Sequence, residues 1–551
     1  MPQLKFKGKQ FVQNHHLTVQ YHELVPKKDK SLTDKVSLND NLIIHGDNLL
    51  ALKALLPTYA GKIKCIYIDP PYNTGNENWI YNDNVNSPMM QEWLGKVVDK
   101  DDLTRHDKWL CMMMPRLRLL KELLSDDGAI FIHIDNNELK YLTMLMDEIF
   151  GENNFVGVFI WRKKEGGGQA KTYFITEHEY IVVYRKSEKF IWKDEAIPVD
   201  EKDYKREDKD GKFTIVKLAK WGNTARRQDR PKMYFPLITP DKKKIFPKAP
   251  DGNDGRWRVG KKTMEELLDD GLVYWEKKHG EWVAYEKIYY DDKEIKIIKE
   301  RSILYEIAST GDASKMLTEI FGKKDVFENP KPVEIAEFCL EYTTDNNSII
   351  LDSFAGSGTT AHAVLRLNKG DEGKRNFILV QCDEYDKNKK AIVDICDPIT
   401  AERLRRVIKG VSNANDERLR EKLCGSFSYF ELGKPIEMES ILSGKSMPSY
   451  MELARYVFYT ATGEEFDEKA VNEKKQFIGE SKDFEVYLFY KPDVEYLRNT
   501  ALTLDRAKAL GPYKKKKRLV FAPTKYLNQE FMDELRIEFA QLPFEIYKLA
   551  G

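Results

Sequence analysis

The sequence predicts an α/β protein built on a doubly wound parallel sheet that is interrupted by an inserted module and then resumed. Three observations carry this. Apolar runs of four to eight residues alternate with amphipathic stretches of ten or more, in two separated parts of the chain. Two of these runs end in unusual corners, Asp69-Pro70-Pro71-Tyr72 and Asp352-Ser353-Phe354-Ala355-Gly356-Ser357-Gly358-Thr359-Thr360. Between them lies a long segment, 186–325, in which that alternation is lost.

Taken in order, residues 1–40 read as a polar, irregular N-terminal arm. Leu42-Ile43-Ile44-His45 is a strand, followed by Gly46-Asp47 and a helix over 49–56. A second strand covers 63–68 and stops at Asp69. A helix over 109–124 ends at Asp126-Asp127-Gly128 and feeds a strand at 129–134. Helix 137–149 and strands 155–161 and 179–184 complete the first half of the core, 41–185. The inserted segment, 186–325, is rich in lysine, aspartate, tyrosine and tryptophan, with turns such as Asp251-Gly252. The second half of the core, 326–400, holds helix 332–342, strand 348–351, helix 359–368 and strand 377–381. Residues 401–551 read as a C-terminal accessory domain of mixed texture.

Composition narrows the class. The 551 residues carry 89 basic and 89 acidic side chains, so a polyanionic partner requires positive charge sorted onto one face. The six cysteines form no Cys-x-x-Cys pair, which argues against a zinc ribbon, and no metal is expected. The opening Met1-Pro2-Gln3-Leu4-Lys5 lacks an apolar signal core, and no run of 18 apolar residues exists. A cytoplasmic protein without a membrane span is expected.

The two corners carry the chemistry. Glycines in a strand-to-helix loop let the backbone turn tightly and approach a ligand, and the helix N-terminus behind them offers free N–H groups. By itself such a loop serves any small ligand, or is only a tight turn. It is not a Walker loop, because no Gly-Lys-Ser/Thr ending is present. Asp69-Pro70-Pro71-Tyr72 stands at the carboxyl end of its strand, where doubly wound sheets bind ligands. An Asp-Pro turn closing a strand is the plainer account. An acid and an aromatic flanking two prolines also make a rigid corner suited to a planar ring.

With both corners in one sheet, the chain resembles the β class of amino DNA methyltransferases, in which the catalytic corner precedes the cofactor loop and a target recognition region lies between. The resemblance is closest to the modification (Mod) subunits of type III restriction systems. It is carried by IHGDNLLAL (44–52), IDPPYNTGNE (68–77), RLRLLKELLSDDGAIFIHID (116–135), EIFGENNFV (148–156), HEYIVVY (178–184), FENPKPVEI (327–335), ILDSFAGSGTTAHAV (350–364) and NFILVQCDE (376–384). It implies a Rossmann-like, circularly permuted methyltransferase sheet with 186–325 as target recognition domain.

The resemblance implies roles as well. S-adenosylmethionine is the cofactor and double-stranded DNA the substrate. Asp69 and the Pro70 carbonyl accept the two amino hydrogens of adenine N6, turning its delocalised lone pair toward the methyl group, while Pro71 stiffens the corner and Tyr72 stacks on the flipped base. Asp47 meets the cofactor adenine. Phe327 and Lys331 lie along the cofactor; Asp352, Phe354, Gly356, Gly358 and Thr359 form the methionine-side loop. The ribose contact falls among Gln381, Asp383 and Glu384. His178 and Glu179 resemble a loop near the target base, although a buried, satisfied histidine fits equally. Arg226, Arg227, Arg230, Arg258 and Lys261 are the candidate DNA contacts, with a solvated surface as the plainer account for each. The run Lys514 to Arg518 reads first as a solvated loop and second as a phosphate contact. A helicase-nuclease restriction subunit and a second copy of the chain are the implied partners. N4-cytosine methylation, or a non-catalytic DNA-reading subunit, stand as alternatives. C5-cytosine chemistry is disfavoured, since no Pro-Cys dipeptide occurs.

Overall fold

A computed structural model describes residues 4–74, 105–166, 173, 175–293, 295–385, 392–435, 447–464, 466–511 and 515–542. Chain contacts divide it into two compact units, Met1–Lys193 with Arg301–Gly551, and Asp194–Glu300.

The first unit is organised by a ten-stranded sheet. Its order is His22–Pro26, Ser428–Pro435, Leu42–His45, Asn376–Gln381, Ile349–Asp352, Ile63–Ile68, Leu124–Ile134, His178–Arg185, Phe155–Arg162, Ile303–Leu304. The six strands from Ser428–Pro435 to Leu124–Ile134 are mutually parallel. Both faces are covered. Ile63, Ile66 and Ile68 join one core with the helices Asn48–Tyr59, Arg105–Leu123 and Leu139–Phe150. Cys65 and Tyr67, one residue out of phase, join the other with the helices Val333–Glu341, Thr359–Asp371 and Glu402–Lys409. Burial on both faces is why these strands read as continuous apolar runs rather than alternating ones.

The parallel centre of the sheet is joined by antiparallel strands at its margins. His178–Arg185 runs antiparallel to both Leu124–Ile134 and Phe155–Arg162, and His22–Pro26 antiparallel to Ser428–Pro435. The expected domain limits shift for the same reason. The arm 1–40 supplies an edge strand, and the sheet runs on past 400 to Pro435, whose strand lies directly beside Leu42–His45. A second, four-stranded sheet, Phe477–Glu480, Phe484–Leu488, Lys517–Ala522 and Ile537–Gln541, closes the chain with its own core.

The second unit is narrower than the 186–325 expected. Ile303–Leu304 pairs with the large sheet, and the helix Thr310–Phe321 also falls in the first unit. Within Asp194–Glu300, a four-stranded antiparallel sheet (Val273–Lys278, Glu281–Tyr289, Gly211–Lys217, Arg206–Asp208) buries a core of Leu218, Trp257, Met264, Leu267 and Ala284.

Candidate active site

Ile63–Ile68 and Ile349–Asp352 are adjacent parallel strands, so the two corners emerge side by side at the same edge of the sheet. The acidic corner is fixed by groups on the helix Arg105–Leu123. The indole N–H of Trp109, itself fully buried, donates to the Pro71 carbonyl at 2.7 Å. Asn73 takes a left-handed conformation, φ 58°, which asparagine tolerates. Its amide donates to the Arg105 carbonyl at 3.1 Å and also to Glu138 Oε1, which lies 2.6 Å from His106 Nδ1. The rest of the NTGNE stretch, from Gly75, lies outside the described residues.

Asp69 enters a chain of alternating charge. Its Oδ2 is 2.7 Å from the Lys331 ammonium, which is 3.5 Å from Glu179 Oε2; Glu179 Oε1 in turn is 2.7 Å from the Lys163 ammonium. The Tyr72 hydroxyl donates to Glu179 Oε2 at 3.0 Å, and the Lys331 ammonium stands 4.9 Å from the Tyr72 ring centre. Burial pushes the Glu179 carboxyl up, but Lys331 and Lys163 outweigh it and hold it at about 2. Burial depresses the Lys331 ammonium, and Asp69 and Glu179 more than restore it. His133, fully buried beneath the cluster, is lowered to about 4 by burial and then by Lys331, so it is neutral. The other oxygen of Asp69, Oδ1, is buried and has no hydrogen-bond partner among the described residues.

The glycine loop is braced from four sides. Gly356 and Gly358 have φ of 51° and 80°, where side chains are disfavoured, and a Cβ on Gly356 would lie 3.1 Å from the Phe327 ring. Gln381 Oε1 accepts the Gly356 N–H at 2.6 Å, and the Thr400 hydroxyl donates to the Gly356 carbonyl at 2.6 Å. Asp352 accepts the Phe354 N–H at 3.0 Å and the Thr360 hydroxyl at 2.5 Å. Arg403, buried, donates to Ser357 Oγ and Thr359 Oγ1, each at 3.0 Å. Burial raises the Asp352 carboxyl to about 7, against the two donors that favour its charge.

Asp47 caps the helix Asn48–Tyr59, its Oδ1 accepting the Leu49 N–H at 2.8 Å, while Oδ2 lies 3.4 Å from Arg116. Asn48 ties this corner to the glycine loop: its amide donates to the Ser353 carbonyl at 2.8 Å and its oxygen accepts from Arg116 at 2.5 Å. Asp383 is 2.6 Å from His45. The side chain of Glu384 lies outside the described residues.

The expected residues therefore fall into two groups on neighbouring strand ends. Asp69, Pro70, Pro71, Tyr72 and Lys331 form one, and Phe327, Asp352, Phe354, Gly356, Gly358, Thr359 and Gln381 the other. Two placements differ from what the resemblance implies. The Lys331 ammonium is directed to Asp69, and only its carbonyl meets the loop, accepting from Thr359 at 3.1 Å. Gln381, 2% exposed, is spent bracing Gly356 and the Cys382 carbonyl. Sequence reading missed Lys163, Asn48, Arg116, Trp109, Thr400 and Arg403. The pattern that signals them is weak: Arg116 and Arg403 are basic residues that fall on the buried face of their helices.

The residues present suit S-adenosylmethionine. Asp69 Oδ1 and Ser353 Oγ are both buried, unpartnered oxygens among the described residues, and they follow adjacent strands. Buried polar groups of this kind normally have partners. Beside them are a loop too tight for side chains and the N-terminus of the helix Thr359–Asp371, which favours a carboxylate.

In the second unit most candidate DNA contacts are engaged with carboxylates. Arg226 is 2.9 Å from Asp251, Arg227 3.1 Å from Asp254, Arg258 3.4 Å from Glu286 and Lys261 3.8 Å from Glu265, while Arg230 is exposed. Exposed pairs of this kind contribute about 0–1 kcal/mol each. A different cleft, of roughly 670 Å³, opens on the sheet face away from the core, lined by Lys217, Trp221, Lys278, His279, Glu281, Val283 and Tyr285. Trp221 is 61% exposed, with the Lys217 ammonium 4.6 Å from its ring centre. In the basic run near the C-terminus, Lys514 lies outside the described residues. Lys516 and Lys517 pair with Glu480 and Glu538, and Arg518 is buried 3.7 Å from Glu485, so the run serves its own sheet.

A doubly wound sheet with a glycine-turned loop beside a proline-stiffened acid, whose second oxygen has no partner among the described residues, defines an amino-methyltransferase core. The chain belongs to the DNA methylase family, whose model matches residues 63–393. It is 35% identical over 416 residues to the EcoPI Mod subunit of a type III restriction-modification enzyme from Escherichia phage P1, covering 69% of this chain and 64% of that one. The StyLTI Mod subunit from Salmonella typhimurium is 31% identical over 457 residues, 79% of this chain and 67% of that one. The type II methyltransferase M.KpnI from Klebsiella pneumoniae is 36% identical over 370 residues, 64% and 82% respectively. The chain thus spans about two thirds of the length of these type III relatives. Among the described residues no helix is long and apolar enough to cross a membrane.

Proposed function

We propose that the chain is a site-specific DNA methyltransferase that uses S-adenosylmethionine to methylate adenine at N6, and that it serves as the modification component of a type III-like restriction system. The observation that carries this reading is the buried Oδ1 of Asp69, without a partner among the described residues, at the end of the strand adjacent to the one that leads into the glycine loop. The cofactor supplies an electrophilic methyl group on a sulfonium. Asp69 Oδ1 and the Pro70 carbonyl accept the two N6 hydrogens, which localises the nitrogen lone pair and fixes its line of approach. Tyr72, held by Glu179, gives the flipped base a stacking face worth on the order of 1–3 kcal/mol, against a few kcal/mol for unstacking. One N6 proton passes to Asp69 and from there to water, which its 29% side-chain exposure admits.

The aromatic second unit supports DNA reading, through the Trp221 cleft and arginines whose ion pairs can be exchanged. A helicase-nuclease restriction subunit as partner, a homodimeric state and a cytoplasmic location belong to the same proposal, supported by the kinship with type III Mod subunits. The test is incubation with mixed-sequence duplex DNA and labelled cofactor, followed by nucleoside mass analysis. N6-methyladenine is the expected product. N4-methylcytosine would overturn the choice of base and keep the amine chemistry; no label in DNA, with the cofactor bound, would favour a DNA-reading subunit.

A further inference from the structure

We infer that Glu179, backed by Lys163, is a positioning residue for methyl transfer: it cancels the charge of Lys331 and fixes both Lys331 and Tyr72, so that Asp69 meets the amine as an oriented acceptor in a neutral setting. This rests on the reading of Asp69 as the amine acceptor. As the N6–carbon bond forms and the carbon–sulfur bond breaks, its electron pair leaves with sulfur and N6 becomes positive until its proton passes to Asp69 Oδ1. A lone cation near that nitrogen opposes the step, and Lys331 is such a cation, 9% exposed and 2.7 Å from Asp69 Oδ2.

Three features argue that Glu179 removes the conflict. It is 6% exposed, so its field is little screened. One oxygen, Oε2, faces the Lys331 ammonium at 3.5 Å and accepts the Tyr72 hydroxyl at 3.0 Å, coupling the acceptor and the stacking ring through a single atom. The other is held by Lys163 at 2.7 Å, which keeps Glu179 from swinging fully onto Lys331. Asp69, Lys331, Glu179 and Lys163 then sum to zero. Of the neighbouring ionisable groups, His133 is neutral, the Tyr72 hydroxyl is raised by burial first and by Asp69 and Glu179 after it, the Tyr67 hydroxyl is raised by burial first and then by Cys339, Asp69, Asp352 and Glu179, and Asp352, raised to about 7 by burial, bears on Asp69 from the adjacent strand end. Lys331, by holding Oδ2, stops rotation of the carboxylate and leaves Oδ1 toward the amine. The strand pairing that places Glu179 opposite Trp161 brings it within reach of Lys163, two residues further on.

The test uses the full chain with duplex DNA and saturating cofactor. Glu179→Gln keeps the acceptor for Tyr72 and removes the charge. Its single-turnover rate is expected to fall by about 10–100-fold, with cofactor Kd and KM for DNA within about 3-fold of wild type. Without Glu179, burial of Lys331 is opposed by Asp69 alone, so the alkaline limb of the rate profile moves to lower pH. Replacing Lys331 with arginine in the same chain, E179Q/K331R, abolishes that movement because a guanidinium does not titrate there. Lys163→Met, at a site 30% exposed, leaves an extra negative charge and moves the limb the other way. A wild-type rate in E179Q, or limbs that stay fixed or move together in E179Q and K163M, would overturn the inference. If Asp69→Ala also transferred methyl groups normally, the amine-acceptor reading would fall with it; if only E179Q were normal, this inference alone would fall.

Discussion

The Lys331 ammonium lies 2.7 Å from Asp69 Oδ2, joining residues 262 positions apart and tying the two sequence-separated halves of the core at the reacting edge. Lys331→Met removes the cation between the buried Glu179 and the partly exposed Asp69. It is expected to destabilise the protein by roughly 3–5 kcal/mol and to cut the transfer rate by at least about tenfold. Lys331→Arg, which keeps the charge, is expected to recover most of the stability. Thermal melts and single-turnover rates on the two variants check this.

Gln381 holds the glycine loop from its neighbouring strand through the Gly356 N–H. Gln381→Ala orphans that N–H and frees the loop. Cofactor Kd is expected to rise by about 5–20-fold, equivalent to one hydrogen bond of roughly 1–1.8 kcal/mol, while the rate at saturating cofactor changes little. Isothermal titration alongside kcat separates the two; a kcat loss at unchanged Kd would place Gln381 in the chemistry instead.

Asp352 braces the same loop with a carboxyl raised to about 7 by burial. The folded state therefore retains a proton that the unfolded chain has lost above a pKa near 3.8. The stability this contributes is fully present below about 3.8 and is lost as pH rises through about 7. Between pH 5 and pH 8 the wild type is expected to lose roughly 2–3 kcal/mol relative to Asp352→Asn, which does not titrate. Denaturant titrations of both proteins at the two pH values give the number.

In the second unit, the ion pairs of Arg226 and Arg227 and the open cleft at Trp221 make a contrast. Trp221→Ala combined with Lys217→Ala is expected to weaken DNA binding by about 1–3 kcal/mol, through lost stacking and one phosphate contact. Arg226→Ala with Arg227→Ala is expected to reduce mainly the salt dependence. Fluorescence anisotropy at two salt concentrations distinguishes them, with cofactor binding unchanged in both.

The central strands and both corners were legible because each is a local event: an apolar run of a few residues closed by an acid, a proline or a glycine. Ile63–Ile68 and Ile349–Asp352 announce themselves in this way. Ser428–Pro435 does not, since only its first three residues are buried and a charged stretch precedes it, so its place in the sheet depends on a partner almost 400 residues earlier. The chain Lys163–Glu179–Lys331–Asp69 was invisible for a similar reason. Asp69, Glu179 and Lys331 stand out one at a time, in separate segments and separate roles, Lys163 not at all, and only the fold brings the four together. The arginines of the inserted unit read in the sequence as a basic cluster, and the fold sets Asp251, Asp254 and Glu286 beside them.

The most direct test of the central claim pairs two readouts on Asp69→Ala: cofactor Kd by titration, and methyl incorporation into duplex DNA. The unpartnered oxygen of Asp69 predicts a Kd within about 3-fold of wild type and transfer reduced by at least about 10³-fold, the scale of losing an oriented acceptor in a water-poor site. Methylation at the wild-type rate would contradict the account.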